Sequence, residues 1–508
     1  MSPTSPEHEP TRARSILLVA LGVVAVAAAI AWLFVGTGPS DDDFIVQRYA
    51  RNFVDGRGLV FDDGVRVEGF TCPLWLFLLA GVMALGGTAA AVGPWIGSAA
   101  VAGSALLALA RARATVGEHA SIARGGAVAA AFAIAASAAT AYHAALGLGT
   151  ALAGFLVLAW FVAAERAERR GSSHVLAGVC LGLATLLRPE TAGLALPWLV
   201  AVPRGRRIVA GLAFAAWSGG WLVFRVAYYG EWLPMTHYVK KLALVDDLAY
   251  GADYLARATL DTGVVLLFGV GVLARLLRRA PSGRMTTAAL AGVGVSLALV
   301  AWAGGDYMPV ARFVVPVLPL LLVLACDAIA ELLAHRVVLA RAALLVLVAF
   351  GAWPCLELAE LQGRHRFYEE RWIAIGKELG ARFPADTRVA TAPIGAIGFH
   401  SRLPIVDLLG LTNAAVRRAE PDLSITMKGH HRYDADWALA QEPDLVLLGN
   451  GVLLPGQRTL QVSAWERTLV QHPRFAAEYE QLVLPIPGSY DLFLFRRRAS
   501  AGRSPGAR

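Results

Sequence analysis

The chain has 508 residues, of which 56% are hydrophobic and 17% charged, and its apolar residues form long blocks between Ser15 and Pro354. Because roughly 20 apolar helical residues cross a bilayer core, this pattern excludes an ordinary soluble enzyme. The formal net charge of +8 could suggest a nucleic-acid partner, but the basic residues lie mainly in short clusters between apolar blocks. Four cysteines without metal-ligand spacing argue against a zinc site.

The first apolar block, Ser15 to Val35, follows two arginines and is too long for the apolar part of a typical signal peptide. We therefore predict a retained membrane anchor with a cytoplasmic N-terminus. Short loops rich in Lys and Arg stay cytoplasmic, so the other basic clusters predict the inner side of the membrane. These clusters are Arg111 to Arg124, Arg166 to Arg170, Arg204 to Arg207, Arg275 to Arg284 and a weaker one at His335 and Arg336.

The basic clusters all face the cytoplasm only if an odd number of spans separates the first long loop from Arg111. The segment Pro73 to Gly86 is short, so we predict an interfacial or re-entrant element there and a span at Pro94 to Ala110. This solution is a polytopic α-helical membrane protein with about 11 spans plus interfacial helices. We expect a transmembrane domain at 1–356 with a large outward loop at 36–72, a small extracytoplasmic α/β domain at 357–498 and a disordered tail at 499–508.

The first outward loop begins with Asp41, Asp42 and Asp43 directly after a span. From Phe44 to Val54, apolar residues recur at four-residue spacing, which predicts a short amphipathic helix lying on the membrane surface. Such a helix would hold the three carboxylates just above the bilayer. The alternative is that the aspartates only cap the helix N-terminus, where the helix dipole favours carboxylates.

A long motif runs through this loop and into the next helix. Its residues are Asp41, Asp42, Phe44, Ile45, Arg48, Tyr49, Ala50, Gly56, Gly58, Leu59, Val60, Phe61, Glu68, Gly69, Phe70, Thr71, Pro73, Leu74 and Trp75. In them the chain resembles the GT-C class of glycosyltransferases and, within it, the mycobacterial terminal arabinofuranosyltransferases and their bacterial relatives. The likeness continues in the turns Arg188 to Glu190, Tyr228 to Pro234 and Gly304 to Arg312, and at Asp407 to Thr412.

Two positions depart from the pattern of this family. Relatives usually carry Glu where this chain has Gly149, and Asn where it has Met235. If that Glu contacts the sugar or a metal in relatives, this protein handles its substrate differently or has lost activity. His143 lies in the same turn and is a candidate substitute, although a structural histidine is the alternative.

The resemblance implies that a sugar moves from a polyprenyl-phosphate donor to a glycan, lipid or protein acceptor on the outer face of the cytoplasmic membrane. Direct displacement needs a base for the acceptor proton and cations for the leaving phosphate. The motif register assigns Asp41 as the base, with Asp42 orienting it or binding sugar hydroxyls. It also places Asp43 where relatives carry a small neutral residue, so we expect Asp43 to tolerate replacement.

The leaving phosphate has five candidate partners: Arg188, Lys240, Lys241 and Arg312, with His237 behind them. Arginine can grip phosphate oxygens bidentately, whereas lysine acts as a point charge. The lysines could instead snorkel at the interface, but arginines beside apolar helix are costly and indicate function. The other substrate-binding candidates are Arg48 and three acidic residues, Glu68, Glu190 and Asp306. Each of these three carboxylates could instead pair with an arginine. We assign no metal ligand and leave a divalent cation requirement open.

The region 365–495 has the texture of a small α/β unit without a nucleotide-phosphate loop or a nucleophile motif. Strands are predicted at Arg388 to Ala392, Pro404 to Leu408, Asp444 to Leu448 and Leu492 to Phe495. Our hypothesis is that this domain binds the acceptor glycan or covers the membrane cavity.

Two other functions are compatible with the sequence. A transporter or flippase of lipid-linked sugars also has many spans with charges inside the membrane. The carboxylates are concentrated on one face, which favours surface chemistry over transport. An inactive lipid-binding scaffold is the second alternative, and it rests on Gly149. Nothing in these residues selects a pentose over a hexose.

Overall fold

The structure is a computed structural model that describes residues 8–34, 36, 38–112, 120–277, 283–449, 462–486 and 490–498. The predicted tail at 499–508 lies outside the described residues, as do parts of the basic clusters Arg111 to Arg124 and Arg275 to Arg284.

Helices dominate the chain up to residue 382. They are α1 His8–Leu33, α2 Asp41–Val54, α3 Pro73–Ala84, α4 Ala89–Ala112, α5 Ala120–Ala135, α6 Ala138–Ala145, α7 Thr150–Arg170, α8 Val175–Thr185, α9 Ala195–Ala201, α10 Arg204–Tyr229, α11 Met235–Lys240, α12 Leu244–Thr262, α13 Val264–Leu277, α14 Arg284–Trp302, α15 Leu318–Leu332, α16 Val337–Ala352 and α17 Cys355–Arg382. The C-terminal region adds α18 Ile394–Ser401, α19 Ala435–Ala440, α20 Ala464–Gln471 and α21 Pro473–Glu478. Its strands are β1 Val389–Thr391, β2 Ile405–Asp407, β3 Leu445–Val446, β4 Tyr479–Ile486 and β5 Tyr490–Arg497.

Many of these helices are apolar enough to lie in a bilayer. Within the described residues, six are long and apolar enough to cross it, namely Ile16–Leu33, Ala89–Arg111, Thr150–Arg170, Arg204–Tyr229, Arg284–Trp302 and Val315–Leu332. Two bent pairs, α5 with α6 and α12 with α13, raise the number to eight if each pair is one span, and α3, α8 and α16 are shorter apolar helices. The chain is thus a multi-pass helical membrane protein, while the count of about 11 spans stays a prediction.

Helix α2 is longer than predicted, and protein encloses it. It starts after Ser40, whose side chain accepts a hydrogen bond from the amide of Asp43. It packs between α3 and α18, and nine of its residues are buried. The apolar face of α2 therefore packs against protein and not against lipid, while its height relative to the membrane surface stays a prediction. The four-residue spacing identified only one buried face, but polar side chains on other faces are buried as well. Asn52, for example, donates to the carbonyls of Val60 and Phe61.

The C-terminal domain contains one five-stranded sheet with the order β2-β1-β3-β5-β4. Strands β2, β1 and β3 are parallel, whereas β5 pairs antiparallel with both β3 and β4. All four predicted strands are present. Strand β4 was missed because Tyr479–Ile486 is polar at its start and contains Pro485, which counts against a strand.

The first loop and the C-terminal domain share one apolar core. Ile45 and Tyr49 of α2 belong to the same buried cluster as Ile375 of α17, Ile397 of α18 and Leu494 of β5. Burial of apolar surface is the dominant favourable term when two parts of a protein associate, and here it joins the first loop to the C-terminal domain. The loop is therefore fixed to the C-terminal domain as well as to the membrane helices.

Candidate active site

A cavity of about 310 Å³ lies beside the N-terminal end of α2. Its walls come from the first loop, the turn at 188–190, the segment 233–241 and the turn 303–313. The predicted site residues that line it are Asp42, Arg188, Glu190, His237, Lys240, Lys241 and Arg312. Apolar side chains line other parts of the wall, among them Leu233, Leu299, Val300 and Trp302. This combination fits a ligand that has both a charged and an apolar part.

Asp42 is the one of the three consecutive aspartates that lines the cavity. Successive residues of an α-helix are turned by about 100°, so Asp41, Asp42 and Asp43 point in different directions. Oδ2 of Asp42 accepts a hydrogen bond of 2.8 Å from Nη1 of Arg312. Burial alone would raise the pKa of Asp42, but Arg312 and the nearby Lys240 lower it below its ordinary value. At neutral pH the cavity therefore contains an ionised carboxylate.

Asp41 is turned toward the C-terminal domain. Its two carboxylate oxygens accept hydrogen bonds from the amides of Gly395 (3.1 Å) and Ala396 (2.7 Å), and its own amide donates to Oε1 of Glu369 at 2.8 Å. Burial raises the pKa of Asp41 to about 7 although the two amides favour the charged form. The amides belong to the first turn of α18, where Pro393 gives no side-chain cap. Asp41 thus caps a helix of another domain.

Asp43 is a buried acceptor with a structural role. Only 1% of it is exposed, and its carboxylate accepts hydrogen bonds from Nε1 of Trp75 (2.9 Å) and Nε2 of Gln47 (2.7 Å). Burial raises the pKa of Asp43 to about 7, against the effect of these two bonds. The expectation that Asp43 tolerates replacement changes accordingly, because a variant would leave a buried donor without its acceptor.

Arg312 is held between two carboxylates. Its Nη1 lies 2.8 Å from Asp42 and its Nη2 lies 2.7 Å from Asp306, which is buried behind the cavity wall. The two preceding residues, Val310 and Ala311, have φ angles of 60° and 49°. Side chains with a β-carbon rarely adopt this left-handed conformation, so the backbone that presents Arg312 is strained. The arrangement fixes Arg312 against Asp42.

Arg188 has unused hydrogen-bonding capacity. It is 3% exposed, and its Nη2 donates to the carbonyl of Leu148 and to the hydroxyl of Thr150. Within the described residues, neither Nε of Arg188 nor Oε1 of Glu190 has a hydrogen-bond partner. Buried polar atoms are usually paired, so these two are available to a polar ligand in the cavity.

The two lysines differ in their environments. Lys241 forms an ion pair of 2.8 Å with Asp247, and its Nζ lies 4.2 Å from the ring of Trp302, on which His237 also stacks. Lys240 forms no ion pair within the described part of the chain. Lys240 therefore has the freer charge of the two.

A segment of the C-terminal domain packs against the outer walls of the cavity. Lys428 forms an ion pair with Asp247, and the ring of His430 lies 5.1 Å from that of Tyr307. Gly304 has a φ of 81°, and a β-carbon there would lie 2.6 Å from Cε of Lys428. The glycine in this predicted turn thus gives Lys428 room to reach its partner.

Three further predicted site residues, Glu68, Arg48 and His143, do not themselves line the cavity. Glu68 is bound by Arg225 and by Nε1 of Trp221 at 3.1 Å, as the ion-pairing alternative expects. Arg48 pairs with Asp62 on the opposite side of α2. His143 is fully buried, with Nε2 3.1 Å from the carbonyl oxygen of Val310, which supports the structural alternative.

The Gly149 position has no room for a longer side chain. Its φ is 69°, and a β-carbon would lie 3.1 Å from the ring of Trp75 and 3.2 Å from Leu187. A glutamate at this position would therefore require both the backbone and its neighbours to shift. Met235, the other departure from the family pattern, is buried at the start of α11.

Comparisons with known proteins agree with this architecture. The solved structure of ArnT from Cupriavidus metallidurans bound to undecaprenyl phosphate matches 95% of this chain and 99% of that chain, with a TM-score of 0.56 and 13% identity. The chain has a GT-C-like fold. In sequence it is 28% identical over 292 residues to a terminal beta-(1->2)-arabinofuranosyltransferase of Mycobacterium tuberculosis. That alignment covers 52% of this chain and 45% of the relative, so it spans about half of each protein.

A family model described as a domain of unknown function, DUF8728, matches residues 359–495 of this GT-C-like chain. The match lies within the predicted domain at 357–498. It adds no activity to the description of that domain.

Sequence reasoning missed Arg225, whose side chain lines the cavity while it binds Glu68. A signal was present, because an arginine inside an otherwise apolar helix such as α10 is costly unless it has a partner. The Lys428 contact carried no such signal, since it joins residues 181 positions apart. Among the described residues, no group of three or more His, Cys, Asp or Glu side chains is arranged to hold a metal ion.

Proposed function

We propose that this protein transfers a sugar from a polyprenyl-phosphate donor to a hydroxyl of a cell-envelope glycan, lipid or protein outside the cytoplasmic membrane. The observation that carries the proposal is an ionised Asp42 in a cavity that also has cationic side chains and apolar walls. The names of the similar proteins support it, since one is an arabinofuranosyltransferase and the other was solved with undecaprenyl phosphate bound.

The proposed donor site uses two cations that form no ion pair within the described residues. Arg188 supplies its free Nε and Lys240 its ammonium, and both line the cavity. A phosphate between them would gain charge-assisted hydrogen bonds and would satisfy Nε of Arg188. The prenyl chain would follow the apolar wall that includes Leu299 and Val300. Arg312 is less available, because two carboxylates already bind it.

The proposed reaction is a single displacement. The acceptor oxygen attacks the anomeric carbon while the bond from that carbon to the phosphate oxygen breaks. Asp42 takes the hydroxyl proton, and the phosphate leaves with the bonding electrons, stabilised by Arg188 and Lys240. Arg312 keeps Asp42 ionised and oriented, and Asp306 holds Arg312 in turn. The geometry therefore favours Asp42 as the base over Asp41, the residue that the motif register assigns.

The decisive experiment compares Asp42→Asn with Asp41→Asn in protein reconstituted with a panel of polyprenyl-phosphate pentoses and hexoses. Asparagine keeps the size of the side chain but loses the basic oxygen, so we expect Asp42→Asn to abolish the release of polyprenyl phosphate. Asp41→Asn should retain measurable release. If Asp41→Asn loses transfer while Asp42→Asn keeps it, Asp41 is the base. Movement of the donor across the bilayer without release would identify a flippase instead.

A further inference from the structure

A second, more polar groove of about 630 Å³ lies on the other side of the loop Asp407 to Asn413. Leu411 of this loop lines the cavity, whereas Thr412 and Asn413 line the groove. The groove lies between the C-terminal half of α2, the rest of the first loop and the C-terminal domain. Its volume falls in the range of small-molecule sites, about 300–1,000 Å³.

Five arginines and four aspartates line this groove, so arginine exceeds aspartate by one formal charge; the aspartates are Asp55, Asp62, Asp63 and Asp407. The arginines that line it are Arg48, Arg51, Arg57, Arg388 and Arg402. Asp62 pairs with Arg48, and Asp63 pairs with Arg57 at 3.4 Å. Asp407 accepts hydrogen bonds from the amides of residues 409, 410 and 412. Among the described residues, neither Arg51 nor Arg402 forms an ion pair.

Other arginines act on the guanidinium of Arg51. Burial, followed by the positive charges of Arg402 and Arg48, lowers the pKa of Arg51 to about 10, although the carboxylate of Asp55 acts in the opposite direction. Nη1 of Arg51 donates to the carbonyl of Phe399 at 2.7 Å, and its guanidinium lies over the ring of the same residue. Nη1 of the buried Arg48 has no partner within the described residues. The groove therefore has a formal excess of one positive charge, and Arg51 and Arg402 lack an ion pair within the described residues.

Arg402 also occupies a strained backbone position. It ends α18 with a φ of 61°, a left-handed conformation in which glycine is favoured. The chain thus keeps a side chain that strains the backbone and repels its neighbour. An anion bound between Arg402 and Arg51 would remove the repulsion.

We infer that this groove binds an anionic group, carboxylate or phosphate, on the glycan acceptor. The inference rests on the proposed function for the identity of the ligand, but its geometry is independent of the cavity. Guanidinium groups bind both oxyanions bidentately, and the half-buried Trp437 in the groove offers an aromatic face to a sugar ring. Along α2, Arg51 lies roughly 14 Å from Asp42 at about 1.5 Å per residue, a distance that an oligosaccharide spans.

The test titrates the protein in nanodiscs of zwitterionic lipid with tetragalacturonate, and with maltotetraose as the neutral oligosaccharide of equal length. Maltose 1-phosphate serves as the phosphate probe. Arg402→Gly removes the charge and relieves the backbone, so this variant should fold at least as well as the wild type. We expect it to weaken binding of the anionic probe about tenfold or more, because a charge-assisted hydrogen bond is lost. Arg402→Lys should retain part of the affinity.

Two controls separate this proposal from the proposed function. Arg496→Gln removes one exposed charge of the same domain outside the groove and should bind the anionic probe as the wild type does. Arg402→Gly should bind undecaprenyl phosphate with the affinity of the wild type. If the wild type itself does not bind that lipid, the proposed function is contradicted, but the proposal for the groove is not. Three results would overturn the proposal that the groove binds an anion. They are equal affinity for the charged and neutral probes, no binding of either anionic probe, and unchanged binding of the anionic probe in Arg402→Gly. Binding of maltose 1-phosphate alone, lost in Arg402→Gly, would identify the anion as phosphate.

Discussion

Arg188 is the residue on which the proposed donor site depends most. Its guanidinium is buried, and its Nε has no partner within the described residues. Replacing it with Gln removes the charge and most donors from the cavity. We expect Arg188→Gln to weaken the binding of undecaprenyl phosphate by roughly tenfold or more, since hydrogen bonds to charged groups contribute about 1.5–3 kcal/mol. The measurement is direct lipid binding to protein in detergent.

Lys241→Gln is the matched control for Arg188→Gln. Lys241 lines the same cavity, but it is already ion-paired with Asp247, which it shares with Lys428. Its replacement should change lipid affinity much less. If Lys241→Gln weakens binding more than Arg188→Gln does, the phosphate lies on the other side of the cavity.

Asp43 gives a prediction about stability. In Asp43→Asn, one of the two donors, Trp75 or Gln47, meets the amide nitrogen instead of a carboxylate oxygen. We expect a loss of about 1–3 kcal/mol in the free energy of unfolding, read as a lower thermal midpoint. Asp63→Asn is the control, because Asp63 is exposed and its pair with Arg57 is long. Equal midpoints for the two variants would contradict the structural role of Asp43.

The same carboxyl predicts a pH dependence. Asp43 has a pKa of about 7 in the folded protein and an ordinary value of 3.8. Between these pH values the folded protein keeps the proton and the unfolded chain does not, so stability falls as the pH rises from about 4 to about 7. One such group contributes at most about 1.4 kcal/mol per pH unit. The free energy of unfolding of Asp43→Asn should therefore fall less steeply with pH than that of the wild type. An equally steep fall in both proteins would contradict a raised pKa of Asp43.

The sequence predicted most charged residues of the cavity but not the roles of the three aspartates. Arg188 and Arg312 stand out because charges beside apolar helix are costly unless they are used, whereas Lys240 could also have been a lysine that snorkels at the interface. The aspartates have the same chemistry and adjacent positions, so only their neighbours distinguish them. Those neighbours come from segments far away in the chain.

At the scale of elements, α18 depends on a cap from α2. Asp41→Ala removes both acceptors from the first turn of α18, and a lost N-cap costs about 0.5–2 kcal/mol. We expect faster hydrogen exchange at the amides of Gly395 and Ala396. Asp386→Ala, a change at an exposed residue of the same domain, should leave their exchange unchanged. Unchanged exchange in Asp41→Ala would mean that the cap contributes nothing.

Gly395 shows why this contact could not be predicted from local pattern. A β-carbon at Gly395 would lie 1.9 Å from the carbonyl oxygen of Asp41, so only glycine lets the two helices approach. The strands of the domain were predictable because short apolar runs bounded by turn residues mark them. Contacts between distant elements leave no such periodic signal.

For the whole molecule, the basic clusters predict that the C-terminal domain lies outside the cytoplasm. Alkaline phosphatase fused after Arg498 should be active in a bacterial periplasm, and a green fluorescent protein fused there should stay dark. Fusions after Arg170, at the predicted cytoplasmic end of α7, should give the reverse result. A fluorescent fusion after Arg498 would show that the span count is even.

The shared core of the first loop and the C-terminal domain also sets an order of events during synthesis. The carboxylate of Asp41 bonds an amide 355 positions later, and Ile45 and Tyr49 wait for apolar partners from the same distant region. At about 5–20 residues per second, a ribosome needs roughly 20 to 70 s to make that stretch. During this time α2 lacks its partners from the C-terminal domain, although α3 is already made, and contacts this distant in sequence form slowly. The C-terminal domain must therefore be synthesised before the first loop can reach its final position.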